Sequence, residues 1–106
     1  METSFETTKD FRDIALHHGV PEHDIDGLYM YVVHGVPLGS FLEAVVSNNL
    51  RDAFSMADHI NQQFLKEIVS FLYNEFPSAS WGSRERYEGW IKTKKAEREA
   101  EEKNVL

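Results

Sequence analysis

The sequence predicts an all-α protein: a compact bundle of about five short helices joined by Gly/Pro turns, with a charged helical extension at the C-terminal side. Three observations carry this. Apolar residues recur at three- and four-residue steps along most of the chain. No strand-like alternation or hairpin signal interrupts them. The periodic runs are separated by glycine, proline or short polar residues, and one separator, HGVP, occurs twice, at 18–21 and 34–37.

Residues 1–6 read as a flexible start. Thr7 or Thr8 can cap a first helix, in which Asp10 lies in the first turn, where a negative charge suits the dipole. Phe11, Ile14 and Ala15 follow at helical spacing, and His17, His18 and Gly19 close the segment. A second helix fits 21–34, with Pro21 in its first position and a stripe of Ile25, Leu28, Tyr29 and Val32. Gly35 can end it in a left-handed conformation and Pro37 can open the next helix. SFLE at 40–43 matches a capping box, with Ser40 and Glu43 satisfying free backbone donors.

Ser47, Asn48 and Asn49 are poor helix formers, because short polar side chains compete for the backbone. They predict a break, then a short helix through Leu50, Ala53, Phe54 and Ala57. Asp58 is a good N-cap for a long helix over 59–76, whose Ile60, Phe64, Ile68, Phe71, Leu72 and Phe76 read as one deeply packed stripe. Pro77 stops it. SASWGS at 78–83 is a loop, and Gly82 or Ser83 can cap a last helix carrying Tyr87, Trp90 and Ile91. Residues 7–92 therefore form one domain, and the mixed-charge segment 93–106 adds little core.

The chain has 106 residues, no cysteine, and 18 acidic against 11 basic residues, a net charge of −7. Absence of cysteine removes disulfides, thiolate nucleophiles and Cys-type zinc sites. The N-terminal stretch lacks a signal-peptide layout and no apolar run approaches a membrane span, which predicts a soluble cytoplasmic protein. The acidic balance argues against direct nucleic-acid binding, which needs cationic surface to displace phosphate counterions. An acidic nucleic-acid mimic is the opposite idea; against it, the acids are interleaved with bases rather than massed.

Candidate chemistry is sparse. His17, His18, His23, Asp24 and Asp26 cluster within ten residues, but no HExxH-type spacing accompanies them, and histidines at a helix C-terminus are the simpler account. No nucleophile elbow surrounds Ser40, and no motif gives complementary catalytic roles to named groups, so an enzyme is not expected and no cofactor or metal is implied. The entry into the third helix is more suggestive. Gly39 would let a ligand approach the backbone and Ser40 could donate to a phosphate oxygen, unless the turn is only a helix cap. Trp81, in a loop of small residues just ahead of Arg84 and Arg86, either stacks on a base or partner or plugs the core.

The run GLYMYVVHGVPLGSFLEAVVSNNLRDAFSMAD, with the later IVSFLYNEFPSASWGS and Trp90, resembles a family of small phage and prophage proteins. These share HG-hydrophobic-P, then GSFL, AV, AD, LYNE and WGS in that order, and the match spans residues 27–91. Leu38 stands where the pattern has a second proline, and Ala79-Ser80 precede the tryptophan. The resemblance implies a virus-encoded protein acting in the cytoplasm of the infected bacterium. It brings no activity with it.

Two functions follow as expectations. The first is a non-enzymatic binding protein, homo-oligomeric, that acts on host functions or defence through protein contacts; seven Phe, four Tyr and two Trp exceed what one small bundle easily hides. The alternative is a sponge for a phosphate-containing signalling nucleotide, held at 37–41 by Gly39 and Ser40, with Asn48, Asn49, Trp81 and Arg84 as further ligands. A nucleic-acid mimic or a small enzyme stands third.

Overall fold

The computed structural model describes residues 8–105. Seven α-helices and one 3-10 turn follow each other along these residues, with no strand among them: α1 (Thr8–His18), α2 (Glu22–His34), α3 (Ser40–Val46), α4 (Leu50–Met56), α5 (His59–Gln63), α6 (Leu65–Glu75), the 3-10 turn Ser78–Ser80, and α7 (Arg84–Val105). The all-α bundle is thus the observed architecture. The flexible start expected at 1–6, and Thr7 as a cap, lie outside the described residues.

α1 packs on α2 and α6, α2 on α7, and α3 on α4. The core is built around Phe11, fully buried, with the rings of Phe71 and Tyr29 each 5.3 Å away and edge-on, the geometry that ring quadrupoles favour. Ala15, Ile25, Leu28, Val32, Ile68 and Leu72 complete it. The two HGVP copies differ. At the first, α1 ends with Val20 N–H bonded to the Ala15 carbonyl (3.1 Å), and Pro21 is the N-cap of α2, so that helix starts one place later than expected. At the second, Gly35 takes φ +72, and a Cβ there would stand 2.4 Å from Lys94 Cβ, so only glycine allows α7 to lie against this turn.

Pro37 does not open a helix. The Leu38 N–H donates to the Tyr87 hydroxyl at 3.0 Å, which holds residues 35–39 in a linker. α3 begins at Ser40 with Gly39 as N-cap, and no side chain caps it. The expected capping box is therefore absent, because Glu43 turns to Arg84 (3.0 Å), where a charge-assisted bond replaces the backbone one.

The break at 47–49 forms as expected. Asn48 takes φ +62 and its N–H donates to Val45, while Asn49 N–H reaches Ala44, closing the end of α3. The single helix expected over 59–76 is instead two, divided at Phe64 (φ −110, ψ 20). The halves face different neighbours: Asn61 is buried beside Asp24, whereas Ile68, Phe71 and Leu72 face the central core. Ile60, expected in the stripe, is consequently 49% exposed. α7 runs unbroken to Val105, and its described side chains are exposed from Lys95 onward. No described helix is long and apolar enough to cross a membrane.

Candidate functional site

The loop between α6 and α7 is held from three sides. The Tyr31 hydroxyl donates to the Ser80 carbonyl at 2.5 Å, the Ser80 hydroxyl donates to the Pro77 carbonyl at 2.7 Å, and the Gly82 N–H donates to the Val46 carbonyl at 2.8 Å. Ser83 caps α7 by accepting from the Arg86 N–H, as its position predicts. Trp81 is thereby fixed at the surface, half-buried, with its ring edge-on to Tyr73 of α6 at 6.5 Å.

The six residues expected to form one site do not converge on one cavity. Asn48 and Trp81 line a cleft of about 400 Å³ together with Tyr73, Phe76, Ser78, Gly82 and Arg86. Ser40, Asn49 and Arg84 line a separate, smaller cavity of about 150 Å³ with Glu43, Ala44, Asp52 and Met56. Gly39 is in neither. In the smaller cavity the polar groups are already engaged. Asn49 caps α4, accepting from the Asp52 N–H (3.2 Å) and donating to its carboxylate (2.9 Å). Arg84 is paired with Glu43 at 3.0 Å and Glu88 at 3.7 Å, which raises its pKa. Two carboxylates against one neutralised cation make poor surroundings for phosphate.

The larger cleft is different in kind. Arg86 is its one charged lining residue, and its Nη1 donates to the carbonyls of Ser78 (3.1 Å) and Trp81 (3.3 Å). Gly82 has φ +110 and a Cβ there would approach Arg86 Nη1 at 3.3 Å, so glycine keeps the guanidinium seated. Asn48, Tyr73 and Trp81 have no side-chain hydrogen bond to any described residue. Sequence reasoning missed Tyr73 as a surface ring. Its signal was available: Tyr73 follows Leu72 by one position, which turns it about 100° off the apolar stripe.

A longer groove of about 650 Å³ runs along α7 past Ser78, Ala79, Glu85, Arg86, Gly89, Trp90 and Thr93, sharing Ser78 and Arg86 with the cleft.

The other groups with displaced titration lie elsewhere. Burial raises the Tyr31 and Tyr87 hydroxyls, both engaged with backbone groups. Asp24 is buried and its carboxyl is raised, first by burial and then by Asp58, against the lowering influence of His23 and Asn61. His23 lies 3.5 Å from both Asp24 and Asp58. His18 is bonded to Glu75 at 3.0 Å and packs on Phe71, tying α1 to α6. Among the described residues no group of three or more His, Asp or Glu side chains is placed to hold a metal ion.

The third surface feature is apolar. Leu50 (73% exposed) and Phe54 (57%) lie one turn apart on α4, followed by Met56 and Ile60, each about half exposed. The sequence placed Leu50 and Phe54 on a short helix, as found, and Ile60 in a deeply packed stripe, where it does not lie. No family model, curated protein or solved structure matches the chain.

Proposed function

We propose that this chain is a phage-encoded, non-catalytic binding protein that pairs with a second copy of itself through α4 and α5. The observation that carries this reading is the apolar run Leu50, Phe54, Met56 and Ile60, left open to water on two consecutive short helices. Charge favours a second copy as the occupant. The chain carries −7 in total, yet residues 50–64 hold one arginine and two aspartates, so this is where two copies meet with little repulsion. Arg51 has no ion-pair partner among the described residues, and in a two-fold pairing it would meet Asp52 or Asp58 of the second copy.

The lack of a catalytic role is supported by where the displaced groups sit. Tyr31 and Tyr87 are spent on backbone hydrogen bonds, and Asp24 is enclosed beside Asn61. The resemblance of residues 27–91 to phage and prophage proteins supports a setting in the cytoplasm of an infected bacterium, where the assembled protein acts on host functions by contact.

Sedimentation equilibrium tests the pairing. The full chain of 12.3 kDa is expected to sediment at twice that mass at micromolar concentration, and Phe54→Asp at the monomer mass. A wild-type monomer under those conditions overturns the reading.

A further inference from the structure

We infer that the cleft between Asn48, Tyr73, Trp81 and Arg86 binds a nucleoside phosphate, with the base against the two rings and the phosphate toward Arg86. This site is independent of the pairing face, and none of its lining residues belongs to α4 or α5.

Four features of the cleft converge on that class of ligand. Tyr73 is 77% exposed, an unusual cost for an aromatic ring unless something else covers it, and it stands edge-on to Trp81 at 78°. Two rings at that angle offer one face for stacking and one edge for in-plane contact, which a flat heterocycle uses fully. Asn48 presents a carboxamide, one acceptor and two donors, that no described residue engages; such a group reads the polar edge of a base. Arg86 is the cation, and its two bonds to loop carbonyls fix its plane before any ligand arrives. On a chain of net charge −7, a cleft whose one charged lining residue is a positioned guanidinium selects for an anion.

An apolar side chain from a protein partner would fit the rings but make no use of the amide or of the guanidinium's charge. The backbone of Asn48 needs no ligand to explain it, since asparagine is an ordinary residue at a left-handed helix cap.

That conformation also supplies a clean test. Asn48→Gly suits φ +62, keeps the α3 cap and removes only the carboxamide. Tyr73→Ala removes a ring that is mostly in water, and Arg86→Gln retains a donor for the loop while removing the charge. Calorimetric titration of the full chain with AMP is expected to give one saturable site with a Kd below about 1 mM, the range of a single stacked and ion-paired nucleotide. Tyr73→Ala and Arg86→Gln are each expected to weaken it about tenfold, and Asn48→Gly several-fold. Adenosine should bind more weakly than AMP, and inorganic phosphate alone should not register. Phe54→Asp, expected to be monomeric, should bind AMP as the wild type does, so failure of the pairing and failure of this site read out separately. The inference is overturned if AMP does not bind, if Tyr73→Ala and Asn48→Gly leave its affinity unchanged, or if a tryptophan-containing peptide binds the cleft and AMP does not.

Discussion

Two sets of large aromatic side chains meet around the 78–83 loop and differ in one respect. Tyr31, Tyr87 and Trp90 end inside the protein with their polar tips bonded: Tyr31 to the Ser80 carbonyl, Tyr87 to the Leu38 N–H, and the Trp90 indole N–H to the Val32 carbonyl at 3.1 Å. Tyr73 and Trp81 stand at the surface, and no described residue engages their hydroxyl or indole N–H. The internal set joins α2, the 35–39 linker, the 78–83 loop and α7 into one body. In the outer set Trp81 rests part of its ring on the edge of the core, and Tyr73 joins nothing that would come apart without it. An aromatic residue whose polar tip is bonded to backbone is part of the architecture; one whose tip is free is available to something else.

Substitutions break this comparison most sharply at Trp90. Trp90→Ala should cost about 3–5 kcal/mol, measured by urea unfolding, since it leaves a cavity and orphans the Val32 carbonyl. Tyr31→Phe should cost about 1 kcal/mol from the lost bond to Ser80, whereas Tyr73→Phe should change nothing measurable in the same assay. If Tyr73→Phe proved as costly as Tyr31→Phe, the distinction between the sets would collapse.

A buried carboxylate sharpens the same point from another side. Asp24 is 5% exposed and its Oδ2 has no hydrogen-bond partner among the described residues. Its raised pKa means that the native state holds the proton more tightly than the unfolded chain. Its contribution to stability is therefore fully present below the ordinary carboxylate range and is lost as pH rises through the raised value. Asp24→Asn removes the buried charge and should stabilise the protein by about 1 kcal/mol at pH 7. That gain should shrink toward zero as unfolding is repeated down to pH 4. Tyr73→Ala, which removes the whole exposed ring, should still stay within about 0.5 kcal/mol of wild type by thermal unfolding.

Much of this architecture was legible because the signals were local. Gly19, Gly35, Asn48-Asn49, Asp58 and Pro77 punctuate the chain where helices end or begin, and the stripe of Ile68, Phe71 and Leu72 is buried as its spacing requires. Failures arose where a distant partner decided the outcome. Glu43 abandons its capping box for Arg84, forty-one residues away, and Leu38 gives its N–H to Tyr87 across the fold. Ile60 and Ile68 share a periodicity, but the turn at Phe64 aims one at solvent and the other at the core. For the site, Asn48 and Trp81 were legible as candidates, and the structure brings them together through the Gly82–Val46 bond. Tyr73 was hidden by its neighbours, because a tyrosine next to a core stripe reads as core until its angle is counted.

The two tryptophans allow the central claim to be tested in one experiment. Each indole N–H gives its own cross-peak in a proton–nitrogen correlation spectrum of the full chain, assignable with Trp81→Phe. On titration with AMP, the Trp81 indole peak should move saturably while the Trp90 peak, bonded to Val32, stays in place. A Trp81 peak that does not move at saturating AMP, or a Trp90 peak that moves with it, would contradict the division between aromatics that hold the fold and aromatics that hold a ligand.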